Sequence, residues 1–233
     1  MLIRSKQRRS ALLAGVLILS GCSRDGETLD RFSRAYTAFS DLRGDAQVAS
    51  IVVIFNDGKQ VYWTELGGAL DQHAPNKVRL GHAKVAIKAE TETIQSRLEV
   101  FDSTLDSLDR AVTQLIEIAN SLGDREYREG AIGVSQRARE VYSAFESLRR
   151  LYAEAFGHRN KILEGIVADG GNLAPAIMRY KVDAARIAAI AREQEAVGQH
   201  LSSATDQLKD AFSALAGRSR LKTYPSKWDE HPK

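Results

Sequence analysis

The chain holds one cysteine, Cys22. A lone thiol excludes an internal disulfide and any cysteine-based metal cluster. Proline is scarce, with four residues, and so is phenylalanine, with seven. Alanine, glutamate, arginine, leucine and glutamine are frequent instead, which is the composition of long helices. No apolar run is long enough to cross a bilayer. The best, residues 11–19, falls short of the roughly 20 residues that a membrane span needs. Familiar catalytic motifs are missing too. His73, His82, His158, His200 and His231 stand at no metal-ligand spacing. Neither a glycine-rich phosphate loop nor a Gly-x-Ser-x-Gly elbow occurs. An enzyme also needs loops to carry its site, and few are expected. The sequence therefore reads as a non-enzyme without cofactor or metal. A cell-wall-acting enzyme, the least favoured reading, would need converging acids or histidines that nothing here defines.

The charge balance points away from nucleic acid. The chain has 33 basic and 30 acidic residues, a net of +3. Residues 1–21 carry Arg4, Lys6, Arg8 and Arg9 and no acid, so the remainder is 29 against 30, a net of −1. The basic character belongs largely to the first residues and gives no footprint for a polyanion.

Those first residues have their own layout. A basic n-region, a short apolar h-region and small residues before a break are the pattern of a secretory signal. The segment ends in Leu19-Ser20-Gly21-Cys22. This tetrapeptide resembles the bacterial lipobox at every position. The resemblance covers residues 1–22 only, and it implies that residues 1–21 are removed. Cys22 would then be acylated, by palmitate among other chains, and become the N-terminus. Several acyl chains, at about 0.8 kcal/mol per buried methylene, anchor a protein firmly. Ser23, rather than Asp, follows the cysteine; by the same resemblance this implies the outer membrane and a domain facing the periplasm. Residues 22–28 form the lipidated end and a short polar tether.

Beyond the tether, Leu29, Phe32, Tyr36, Phe39 and Leu42 recur at spacings of three and four. They predict a short amphipathic helix of about 15 residues. Residues 46–72 fit two readings. Ile51-Val52-Val53-Ile54-Phe55, the turn Asn56-Asp57-Gly58-Lys59, and Val61-Tyr62-Trp63 make a β-hairpin. Val48, Val52, Phe55, Tyr62, Leu66 and Ala69 also keep a helical phase.

From residue 76 to 217 three seams alternate steps of three and four. The first runs from Ile87 through Thr91, Ile94, Leu98, Phe101, Leu105, Leu108, Val112, Leu115 and Ala119 to Leu122, before Gly123 and the capping residue Asp124. The second runs from Val134 to Ile166 and stops at Gly170-Gly171, with Asn172 as the next cap. The third runs from Leu173 to Leu215 and includes Ala184, Ala191, Gln194 and Gly198, with Gly217 predicted to end it. Short loops force neighbours antiparallel. The expected fold is mainly α: a long antiparallel three-helix, coiled-coil-like bundle, preceded over residues 29–75 by the short helix and the segment that reads as a β-hairpin or as helix.

Polar residues interrupt the seams. Folding each helix back about its loop brings Arg159 near Asp183 and near Glu90 or Glu92. Arg159, Asp183 and Gln194 are therefore candidates for polar positions that fix register. Phe55 and Trp63, together with Trp228 of the tail, are candidate partner contacts. The tail, residues 218–233, is basic and aromatic with two prolines, and is expected to be extended or disordered. The functional expectation is a structural or interaction module in the cell envelope, bound to the membrane through Cys22 and to a protein partner. The alternative is a bundle holding a small molecule or lipid between helices, where Ala184, Ala191 and Gly198 would leave space.

Overall fold

The computed structural model describes the backbone at residues 4–54, 77–168 and 173–228. Every regular element there is an α-helix. They are α1 (Arg4–Ile54), α2 (Lys77–Asn120), α3 (Arg125–Ala168) and α4 (Leu173–Ser219). Four long helices replace the expected three plus a short one. α1 is 51 residues long. Nothing between its ends stops it. Its glycines are isolated, and each costs about 1 kcal/mol against alanine, which packing of the apolar stripe outweighs.

The hairpin expectation fails at its first strand. Ile51 to Ile54 are helical, so tertiary context overrides their β preference. The Val52 carbonyl accepts a 3.0 Å hydrogen bond from Arg97 Nη1 of α2. The helical alternative holds for these residues, though in a different phase. Ala46 and Ser50 are buried, while Val48, Ile51 and Val52 are 42–44% exposed. Residues 55–76, with the proposed turn and Phe55 and Trp63, lie outside the described residues.

The described helices form two compact units. The first draws on Met1–Arg43, Leu108–Val141 and Ala204–Lys233, the second on Gly44–Ser107 and Tyr142–Ser203. Each contains part of all four helices, so α1 belongs to the cores.

In the first unit Phe32 and Phe39 of α1 are fully buried with Leu108, Val112 and Leu115 of α2 and Val134 and Ala138 of α3. Tyr36 stacks on Phe212 of α4 at 3.6 Å between ring centres. Gly130 of α3 lets Leu215 approach so closely that an added Cβ would meet its Cδ1 at 3.0 Å. The α2–α3 turn is capped twice. Asp124 Oδ1 accepts the Tyr127 amide at 3.0 Å, as the sequence predicts. Asp25 of α1 accepts the amides of Gly123 and Asp124 at 2.9 Å each.

In the second unit Phe101 of α2 meets Phe145 of α3 edge to face, 6.4 Å between centres. A further cluster joins Leu80, Ala83 and Ile87 to Leu163 and Ile166. Arg149 clamps Asp102 through Nε (2.7 Å) and Nη2 (2.6 Å), and Arg159 reaches Glu90. As the α2 number falls the α3 number rises, which is the mark of antiparallel neighbours.

The seams of α2 and α3 match burial closely. Along the first seam only Thr91 is less than buried. On α3 the core steps from Ile162 to Leu163. The α4 seam fails in its middle. Ala184, Ala191 and Gly198 are exposed, and Asp183, Ile190 and Ala204 are buried instead. Alanines run through both phases of this helix, so periodicity there had little contrast to report. Gly217 does not end α4 either. The helix continues to Ser219 and closes with Arg220 at φ 50° and Leu221 N–H donating to Ala216 O at 3.1 Å, a Schellman turn.

Candidate functional site

The largest departure from expectation is the C-terminal segment, which docks on α1 in the first unit. Arg220 reverses the chain, and residues 221–228 form an extended strap. Polar groups spaced along one face of α1 hold it. Ser33 Oγ donates to Lys222 O at 2.7 Å, and Thr37 Oγ1 to Tyr224 O at 3.2 Å. The Tyr224 hydroxyl donates to Asp30 at 2.5 Å. That bond, with Arg34 beside it, holds the Asp30 carboxyl below the usual carboxylate range. Arg34 and Lys222 both lie over the Tyr224 ring, 5.3 and 5.0 Å from its centre.

Asp41 is the terminal post of this row. Its Oδ1 accepts the Ser226 hydroxyl at 2.6 Å and the Lys227 amide at 2.8 Å. Its carbonyl accepts Trp228 Nε1–H at 2.9 Å. Ser226 is buried, and Trp228 is half-buried. Over residues 221–228 the segment is thus extended and held to α1. Trp228, a candidate partner contact, spends its indole N–H within the fold.

Helix α1 includes Cys22, whose side chain lies outside the described ones. Asp25, three residues on, already caps the α2–α3 turn, and Thr28 and Leu29 are buried. The expected tether over residues 23–28 is therefore part of the fold from Asp25 onward.

The polar seam residues meet in the second unit, in a different pairing from the one expected for Asp183. Arg159 Nη1 lies 3.3 Å from Glu90 Oε1, with the Glu90 side chain 9% exposed. Glu92 is exposed and faces Lys88 at 3.9 Å. Asp183 pairs with other residues of α3: it accepts His158 Nδ1–H at 2.7 Å and Lys161 Nζ at 3.0 Å. Those two bonds, His158 first, lower its pKa. Arg186 bridges Glu154 and Glu193 at 2.6 Å each, and Glu154 is lowered chiefly by that contact. Gln194 is half-buried. This is a network of matched charges that joins α3 to α4.

Among the described residues no group of three or more His, Cys, Asp or Glu side chains could hold a metal ion. No helix there is long and apolar enough to cross a membrane. The space that the ligand-binding alternative needs at Ala184, Ala191 and Gly198 is not between helices: all three are exposed, and a Cβ added at Gly198 meets nothing within 4 Å. Sequence reasoning missed Asp30, Asp41 and Tyr224. The available signal was the row Asp30, Ser33, Thr37 and Asp41, spaced like the apolar stripe beside it. Such a row reads as a solvated face until something is known to lie on it. No family model, no curated protein and no solved structure matches this chain.

Proposed function

We propose that this chain is a lipid-anchored envelope protein whose helical units act as a structural or partner-binding module. Cys22 carries the acyl chains, the outer membrane is the support and the periplasm the workplace. The observation that carries this reading is Leu19-Ser20-Gly21-Cys22 behind a basic and then apolar segment. The position of Asp25 adds to it. A domain that begins three residues after its anchor is held against the membrane with no flexible arm. The ion pairs of α3 with α4, Asp183 with His158 and Lys161 and Arg186 with Glu154, tie the second unit together, which suits a scaffold. Arg159 with Glu90, and Asp183 with His158 and Lys161, serve register in this reading. Apolar side chains left exposed there, Val48, Ile51, Val52 and Val100 among them, supply surface for a protein partner.

The test is the intact mass of the protein taken from native membranes, with Cys22→Ser as control. A mass equal to a chain that starts at an acylated Cys22, lost in the variant, is expected. An unmodified full chain, or a cut elsewhere, would overturn the anchor. Cross-linking in the same membranes should then recover a reproducible protein partner. The alternative, a small-molecule or lipid-binding bundle, draws support from a cleft of about 580 Å³ in the second unit, lined by Ile87, Val167 and Ala168 together with Lys84, Lys88, Glu92 and Glu164. Native mass spectrometry showing a co-purifying lipid would favour that alternative.

A further inference from the structure

A second cleft, of about 750 Å³, lies in the first unit between α1, α4 and the strap. Its size falls within the range of small-molecule sites. No acid lines it, yet two cations do: Arg43 from α1 and Lys209 from α4. Of the seven hydroxyl-bearing residues on its lining, Ser40, Ser213 and Thr223 come one from each wall. Among the described residues none of these five side chains enters a hydrogen bond or ion pair. That contrasts with the adjacent face of α1, where Asp30, Ser33, Thr37 and Asp41 are all committed to the strap. Two like charges with no acid between them repel, and an anion relieves that repulsion.

We propose that this cleft is a binding site for a phosphate monoester. A carboxylate has two oxygens and about four lone-pair sites, which an arginine fork, an ammonium and one hydroxyl already fill. Arg43, Lys209 and three hydroxyls together offer more donors than that, which suits the three oxygens of a phosphate. The volume exceeds one phosphate group, and the Tyr36–Phe212 stack and Pro225 wall the remainder. The ligand therefore carries an organic body with an apolar face. Thr223 sits on the strap, so the bound ligand ties the strap to α1 and α4. The site does not depend on lipidation at Cys22.

The experiment titrates the full chain in detergent with glucose 1-phosphate, glucose and inorganic phosphate by calorimetry. Flotation with phosphatidylcholine vesicles, with and without phosphatidic acid, runs alongside. Saturable binding of a phosphomonoester, absent for glucose, is expected. Arg43→Gln and Lys209→Gln should each weaken it about tenfold or more with helical circular dichroism unchanged. Amide exchange over residues 221–228 should slow when ligand is bound. Binding of glucose 1-phosphate assigns a soluble ester, and binding only to phosphatidic acid vesicles assigns a lipid head group. Absence of saturable binding to either, or binding that survives both substitutions, overturns the proposal. Neither result bears on the mass of the N-terminus, which tests the anchor separately.

Discussion

Replacing Asp41 by alanine should release the strap without unfolding the helices. The carboxylate accepts from the Ser226 hydroxyl and the Lys227 amide, and both bonds are charge-assisted. Such bonds contribute roughly 1.5 kcal/mol or more each when desolvated. Lys227 is exposed, so its bond is not desolvated and contributes only about 0.5 kcal/mol, and the total loss is about 2 kcal/mol. The strap itself has little in reserve. Ordering each of its residues costs about 1–2 kcal/mol of backbone entropy, and its bonds contribute about 1 kcal/mol apiece. A loss of this size therefore appears as local opening rather than global unfolding. Hydrogen exchange read by mass spectrometry should show amides of residues 221–228 exchanging at least about tenfold faster. Exchange in the buried turns of α2 and α3 should stay within error. Asp41→Asn, which keeps one acceptor oxygen, should fall between. If the strap's exchange is unchanged in Asp41→Ala, or if the whole first unit loosens together, then Asp41 is not the terminal post described here.

Arg220→Gly should stabilise the protein by about 0.5–1 kcal/mol, because only glycine takes a left-handed C′ position without steric cost. Thermal unfolding should move up by about 1–4 °C, and a lower midpoint would contradict the Schellman assignment. Gly198→Ala should gain about 1 kcal/mol, since its Cβ meets open space on an exposed helix face. Gly165→Ala should lose stability in a urea titration that also reads Gly198→Ala, because its Cβ would overlap the Tyr180 ring. Acid should destabilise the second unit through Asp183 and Glu154, whose folded pKa values are depressed by His158 with Lys161 and by Arg186. Their contribution is complete above the usual carboxylate value near 4 and is lost as pH falls through the folded values. A thermal scan between about pH 5 and pH 2 should therefore fall more steeply for the parent than for Asp183→Asn.

The sequence alone determined the long helices of α2 and α3, their core faces and the Asp124 cap. It also placed Arg159 near Asp183 and near Glu90 or Glu92, and of these the structure pairs it with Glu90. These follow from a strong period in large apolar side chains and from short loops, and both are local or nearly so. It could not decide α4's face, because alanines at positions such as 184, 188, 189 and 191 blur the contrast on which periodicity depends. It could not decide residues 51–54 either, where a β-branched run joins a helix because the chain before it is already helical and α2 lies beside it. The strap was out of reach for a different reason. Ser33 with Lys222, and Asp41 with Ser226, are separated by 189 and 185 residues, and hydrogen bonds between such groups leave no period in either segment. Only the tertiary structure brings α1, α4 and the tail together. It also assembles Arg43, Lys209 and their hydroxyls, three distant stretches that share nothing in sequence except the space they enclose.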